Sequence, residues 1–246
     1  MISISDIETP DKDTISFVVS DCNSSFVNAI RRTILSEVET VSFNIDNYET
    51  SDLTVLKNTS TLHNEFLLHR LGQIPVNVLD VDGFNPDNYK FILKTQNTTN
   101  NLINVTTADF KVMNLETGKT EDTSTYFPAS DVTGDNILII TLKNNPTGEG
   151  EEVHVEGKCS KGIGRENSRF SPVSGVVFTN KKNPVKAQEA FEEMIKTLPE
   201  TPSPDELKVL ARRFDIEESE RFFYVDENGD PNKFDFTIES VGIIPP

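Results

Sequence analysis

Cysteine is scarce. The 246-residue chain holds two, Cys22 and Cys159, too few for a disulfide framework or a thiolate zinc site. Its three histidines, His63, His69 and His154, are scattered and make no ligand pattern of the His-Glu-x-x-His kind. No metal or other cofactor is expected, and a reducing intracellular compartment fits. Long apolar runs are missing too: none approaches the roughly 20 residues that cross a bilayer. The opening MISISDIETPDKD has neither the basic nor the apolar region of a signal peptide. The sequons at Asn58, Asn97 and Asn104 therefore read as polar loops or turns. Positive charge is in short supply as well, with 23 Lys and Arg against 40 Asp and Glu and a formal net charge of -17. Nucleic-acid affinity comes mainly from clustered cations that neutralise phosphates. Little or no direct DNA contact is expected, although a place in a complex whose other members hold DNA is compatible. There is no nucleophile elbow, no Cys/His pairing in a recognisable context and no Asp-x-Asp-x-Asp cluster.

What is present is a chain long enough for one large domain or two small ones. ISISDIE and TISFVVS read as strands joined by the turn TPDKD. Asn23 or Ser24 can cap the helix that follows. In that helix Phe26, Val27, Ile30, Ile34 and Val38 fall on one arc at about 100° per residue, which predicts a buried face. TVSFNID alternates Val41, Phe43 and Ile45 as a half-buried strand does. TLHNEFLLHRLGQIP reads as a short helix stopped by Gly72. Residues 76 to 160 read as a β-rich lobe with strands in YKFILKT, LINVTT, NILIITLK and EEVHVEGK, and GVVFT follows as another strand. PVKAQEAFEEMIKTLPE and SPDELKVLARRF read as helices separated by Pro199, Pro202 and Pro204. RFFYVDENGDPNKFDFTIES reads as a β-hairpin turning at Asn228-Gly229.

Some local features invite a chemical reading. KGIGR, residues 161 to 165, could cradle a phosphate between Lys161 and Arg165, because glycines let backbone N–H groups approach an anion. It lacks the Walker ending, and a basic, flexible connector is the plainer reading. DVDGFNPDN fails the calcium-loop pattern, since its sixth residue is Asn85 and its twelfth position falls on Phe91. Arg31 lies at the edge of the apolar arc and Arg32 points well away from it. A solvated helix face would explain Arg32 alone.

Four blocks in order carry a resemblance: NAIRRTILSEV with the SFNID strand, NTSTLHNEFLLHRLGQIPV, KGIGRENSRFSPVSGVVF, and FTIESVGIIP. They resemble the alpha-like assembly subunits of multisubunit RNA polymerases, more closely the archaeal and eukaryotic branch than the bacterial alpha N-terminal domain. The resemblance implies an α+β fold with a discontinuous dimerisation domain, residues 1 to 46 and 172 to 246, and a β-rich insertion domain, residues 47 to 171. It also implies a non-catalytic subunit that pairs with a smaller alpha-like subunit, docks the second-largest subunit and joins small accessory polymerase subunits. Phe26, Ile30 and Ile34 would form the dimer seam. Arg31, Arg32, Arg70, Lys161 and Arg165 would contact the large subunit, a task that suits the planar, bidentate guanidinium fork.

The sequence departs from relatives in two ways. LDVDGFNPDNYKFILK lacks the cysteines that hold zinc or iron–sulfur clusters in some relatives, so no metal is implied. Relatives also continue past ESVGIIPP into a long helix at the dimer seam. An asparagine-rich lobe without zinc cysteines suits the polymerase of a large DNA virus as well as an archaeal or nuclear one. Nucleus, cytoplasm or virion would follow from the source. The competing reading is a stand-alone β-rich module that grips an anionic ligand at Lys161–Arg165, and an enzyme with an unrecognised site is a third.

Overall fold

A computed structural model describes residues 1–144, 148–198 and 202–246. The chain divides into two compact units, Met1–Ile34 with Val173–Ser240 and Pro246, and Leu35–Pro172 with Val241–Pro245.

The first unit opens with strands β1 (Ser3–Asp11) and β2 (Thr14–Ser20), a hairpin whose turn is shorter than TPDKD suggested because β1 runs on to Asp11. Asn23 then caps helix α1 (Ser24–Ser36) by accepting from the Phe26 amide at 2.9 Å. Leu35 and Ser36, the last residues of α1, count with the second unit.

The second unit runs through β3 (Glu39–Ser42), β4 (Leu53–Asn58) and α2 (Asn64–Leu71). Next come β5 (Tyr89–Gln96), β6 (Ile103–Thr106), β7 (Phe110–Asn114) and β8 (Lys119–Glu121). The short helix α3 (Thr123–Tyr126), β9 (Leu138–Leu142), β10 (Glu152–Gly157) and β11 (Ser160–Ile163) complete it. The chain then returns to the first unit with β12 (Val173–Asn180), α4 (Pro184–Lys196), α5 (Pro204–Glu217) and β13 (Lys233–Ser240). The predicted break at Pro199 lies outside the described residues.

The first unit is built on an antiparallel sheet in the order β1-β2-β13-β12. Its core gathers Val18, Val19, Val27, Val176, Phe234 and Phe236. The Phe17 and Phe236 rings stack at 5.1 Å between neighbouring strands, a cross-strand pair of the kind that fixes register. Helix α5 starts with a capping box, in which Ser203 and Glu206 satisfy each other's backbone amides.

The second unit has a five-stranded antiparallel sheet, β4-β10-β5-β7-β8, and two-stranded pairs β11-β3 and β6-β9. Its core centres on Phe43, whose ring lies 5.2 Å from Phe91, 6.1 Å from Phe110 and 6.4 Å from Phe127. Leu67, Leu68 and Leu71 of α2 are buried in the same cluster.

Three expectations need correction. TVSFNID is a strand only as far as Ser42, where β3 ends, although Phe43 beyond it is buried. The hairpin expected around Asn228-Gly229 is reduced to a tip. Residues 221–226 make only isolated bridges, Lys182 with Phe223 and Val225 with Pro231. The reason is packing: Phe222 stacks on Phe214 of α5 at 5.9 Å, which takes the first aromatic run out of strand geometry. Residues 35 to 46, assigned from sequence to the dimerisation domain, are compact with the second unit. There β3 pairs with β11, and Phe43 anchors the aromatic cluster.

Candidate assembly surfaces

Helix α1 is amphipathic yet poorly covered. Of its apolar arc only Val27 is buried, at 0% exposure. Phe26 is 42% exposed, and Ile30 and Ile34 are half-buried. The predicted buried face is thus a single anchored residue flanked by open apolar side chains. Arg31 is half-buried, and its Nε donates to Asn28 Oδ1 at 3.1 Å, one turn back along the helix. Arg32 is exposed.

The other three predicted cations lie in the second unit. Arg70, in the last turn of α2, donates from Nε to the Ile139 carbonyl at 2.8 Å and from Nη2 to the Leu138 carbonyl at 2.9 Å. Its fork therefore ties α2 to β9. Lys161 Nζ reaches the Asp82 carbonyl at 3.4 Å. Arg165 forms an ion pair with Glu37 and keeps 70% of its side chain exposed.

KGIGR is not a flexible connector. Lys161, Gly162 and Ile163 belong to β11, paired residue by residue with β3. Both glycines serve close packing. A Cβ on Gly162 would fall 2.7 Å from the Phe170 ring, and one on Gly164 would fall 2.2 Å from the Leu35 carbonyl oxygen. The Arg165 amide donates to the Ser36 carbonyl at 3.1 Å, and the Glu166 amide donates to the Ile163 carbonyl at 3.0 Å. The first of these bonds satisfies one of the carbonyls that a helix leaves unpaired at its C-terminal end. These two amides are consequently not available to cradle an anion.

Sequence reasoning missed Arg169, which sits in a single 3-10 turn after RENS with no periodic pattern around it. Its side chain is only 5% exposed and pairs with Asp46, and Nη1 donates to the Phe43 carbonyl at 2.9 Å. Asn167 Nδ2 donates to the same Asp46 carboxylate at 3.1 Å. Arg169 thereby fixes the stretch that leads out of β3. Nearby, Asp52 accepts from the Asn44 amide at 2.7 Å and from Ser160 Oγ at 2.9 Å, while its burial pushes its carboxyl above the usual range. Among the described residues no group of three or more His, Cys, Asp or Glu could hold a metal ion, and no helix is long and apolar enough to cross a membrane.

An α+β chain with an amphipathic helix beside an antiparallel sheet, and a separate β-rich unit inserted after that helix, is the architecture implied for alpha-like polymerase subunits. The comparison with known sequences agrees: residues 16–246 match the RNA polymerase Rpb3/Rpb11 dimerisation domain, and the chain belongs to that family. It is similar to a conjugation stage-specific protein of Tetrahymena thermophila, with 30% identity over 175 residues covering 64% of this chain and 53% of that protein. It is similar to DNA-directed RNA polymerases I and III subunit RPAC1 of Mus musculus, with 27% identity over 190 residues, 69% of this chain and 51% of that one. With DNA-directed RNA polymerase II subunit RPB3 of Schizosaccharomyces pombe the identity is 24% over 257 aligned positions, 96% of this chain and 77% of that one. The chain spans about half the length of the first of these relatives. The class is that of the alpha-like RNA polymerase subunits.

Proposed function

We propose that this chain is a non-catalytic assembly subunit of a multisubunit DNA-directed RNA polymerase. It pairs with a smaller alpha-like subunit, and the pair docks the second-largest subunit, with small accessory subunits alongside. The first unit supplies the dimerisation surface and the second unit is the insertion domain.

The observation that carries this reading is α1, which leaves Phe26, Ile30 and Ile34 partly uncovered around the buried Val27. Completing the burial of an apolar side chain gains at most about 1.5–3 kcal/mol. Association costs about 4–15 kcal/mol in lost freedom. The three side chains on α1 can therefore seed the seam but cannot hold it alone, and the pairing draws on further surface from both chains.

Arg32, exposed on α1, is proposed to contact the large subunit together with Arg31, Arg70, Lys161 and Arg165. The test is affinity purification of the tagged chain from its native source. Polymerase subunits in stoichiometric amounts are the expected result, whereas a chain that purifies alone overturns the reading. Arg32→Ala should weaken recruitment of the second-largest subunit at least tenfold, roughly 1.4 kcal/mol. Arg32→Lys should recover little, since an ammonium cannot reproduce the fork.

A further inference from the structure

The five-stranded sheet of the second unit has two unlike faces. On β5, Phe91 and Leu93 point to the core, and so do Val153 and Val155 of β10 and Val112 of β7. Side chains of alternate residues stand on the opposite face. The pairing register sets out what that face presents. His154 stands between Lys57 and Lys94, Ile92 stands between Glu156 and Lys111, and Lys90 stands opposite Met113.

The face therefore carries four lysines and two glutamates in a chain of net charge -17. Both glutamates are already engaged. Glu152 holds Lys57 at 2.6 Å, and Glu156 holds Lys90 at 2.6 Å and His154 at 2.8 Å. Lys94 and Lys111 are exposed and have no ion pair among the described residues. Glu149 adds a negative field at the Lys57 end. The positive charge is therefore centred on β5 and β7, around the half-buried Ile92 and Met113.

We propose that this face docks an acidic, partly apolar segment of another polypeptide. Charge complementarity selects the sign of the partner and speeds encounter. The apolar pair between the lysines selects a polypeptide over a nucleic acid. A phosphate backbone offers nothing for Ile92 and Met113, and binding it needs more neutralising cations than this face leaves over. The inference does not depend on the polymerase reading.

The test uses the full chain and a labelled synthetic peptide of alternating glutamate and leucine, with binding followed by fluorescence anisotropy. The wild type binds at low ionic strength and more weakly as salt rises. Lys94→Glu with Lys111→Glu weakens binding at least about tenfold. Lys94→Gln with Lys111→Gln gives an intermediate loss with the circular dichroism spectrum unchanged. Absence of binding at low salt, equal binding by wild type and both double variants, or a single-stranded oligonucleotide that outcompetes the peptide would each overturn the proposal.

Discussion

The backbone amide of Arg165 donates to the carbonyl oxygen of Ser36 at 3.1 Å, which closes the last turn of α1 onto the loop after β11. The contact exists because Gly164 has no side chain: a Cβ there would stand 2.2 Å from the Leu35 carbonyl oxygen. Gly164→Ala must push the loop away or distort the helix end. An overpacked site of this kind costs about 1–3 kcal/mol. The urea midpoint should fall accordingly, and an unchanged midpoint would refute the close-packing account of KGIGR.

Arg169 and Arg165 make ion pairs of very different worth. Arg169→Met keeps an unbranched apolar stem but removes the buried guanidinium, leaving the Phe43 carbonyl without its charged donor. A hydrogen bond to a charged group contributes about 1.5–3 kcal/mol. Arg165→Met breaks an exposed pair with Glu37, worth about 0–1 kcal/mol. Chemical denaturation of both variants should place the Arg169 variant clearly lower. The reverse order would mean that Arg169 is not the clamp described here.

The ion ladder across β4, β10 and β5 predicts a specific acid response. The Lys57 contact holds the Glu152 carboxyl below its ordinary value of 4.5, and Lys90, then His154, do the same for Glu156. A carboxyl depressed in the folded state adds stability above its ordinary value and loses it as pH falls through the lower folded value. Asp52 acts the opposite way: its burial raises it, so stability is recovered as it takes up a proton. Melting temperature should therefore fall below pH 4.5 in the wild type, and less so in Lys57→Met with Lys90→Met. Identical acid limbs in the two proteins would show that the ladder does not contribute.

The two thiols should react differently. Burial, then Asp52, pushes the Cys159 thiol up to about 12, whereas Cys22 is only half-buried and raised for the same leading reason. The thiolate is the reactive form. Alkylation at neutral pH should label Cys22 first and reach Cys159 only as the second unit opens. Equal labelling rates in native buffer would contradict a closed core around Cys159.

Much of the local structure was legible in the sequence because it obeys short-range rules. Asn23 or Ser24 before an apolar arc marked the start of α1, and the strand-like run YKFILKT marked β5. The relationships that depend on distant partners were not legible. Nothing beside Gly164 indicates that it faces Leu35, and nothing beside Arg169 indicates that it reaches Phe43. Phe222 and Phe223 look like strand residues, yet Phe222 stacks on Phe214. Arg70, which the resemblance implied for the large-subunit contact, gives donors to the Ile139 and Leu138 carbonyls of β9, a link that nothing beside it in the sequence indicates.

The central claim, that the uncovered face of α1 seats a smaller alpha-like subunit, is tested most directly by light scattering on size-exclusion-separated mixtures of the two chains. Wild type should form a one-to-one complex. Ile30→Asp should abolish it, because an unpaired charge in an apolar seam costs several kcal/mol, about 2–7 even for an uncharged polar group. Phe26→Glu supplies the control for folding, since Phe26 is already 42% exposed in the single chain and its replacement spares the core. It should also lose the complex while its melting temperature stays near that of wild type. A full-strength one-to-one complex from folded Phe26→Glu and Ile30→Asp chains would contradict the account.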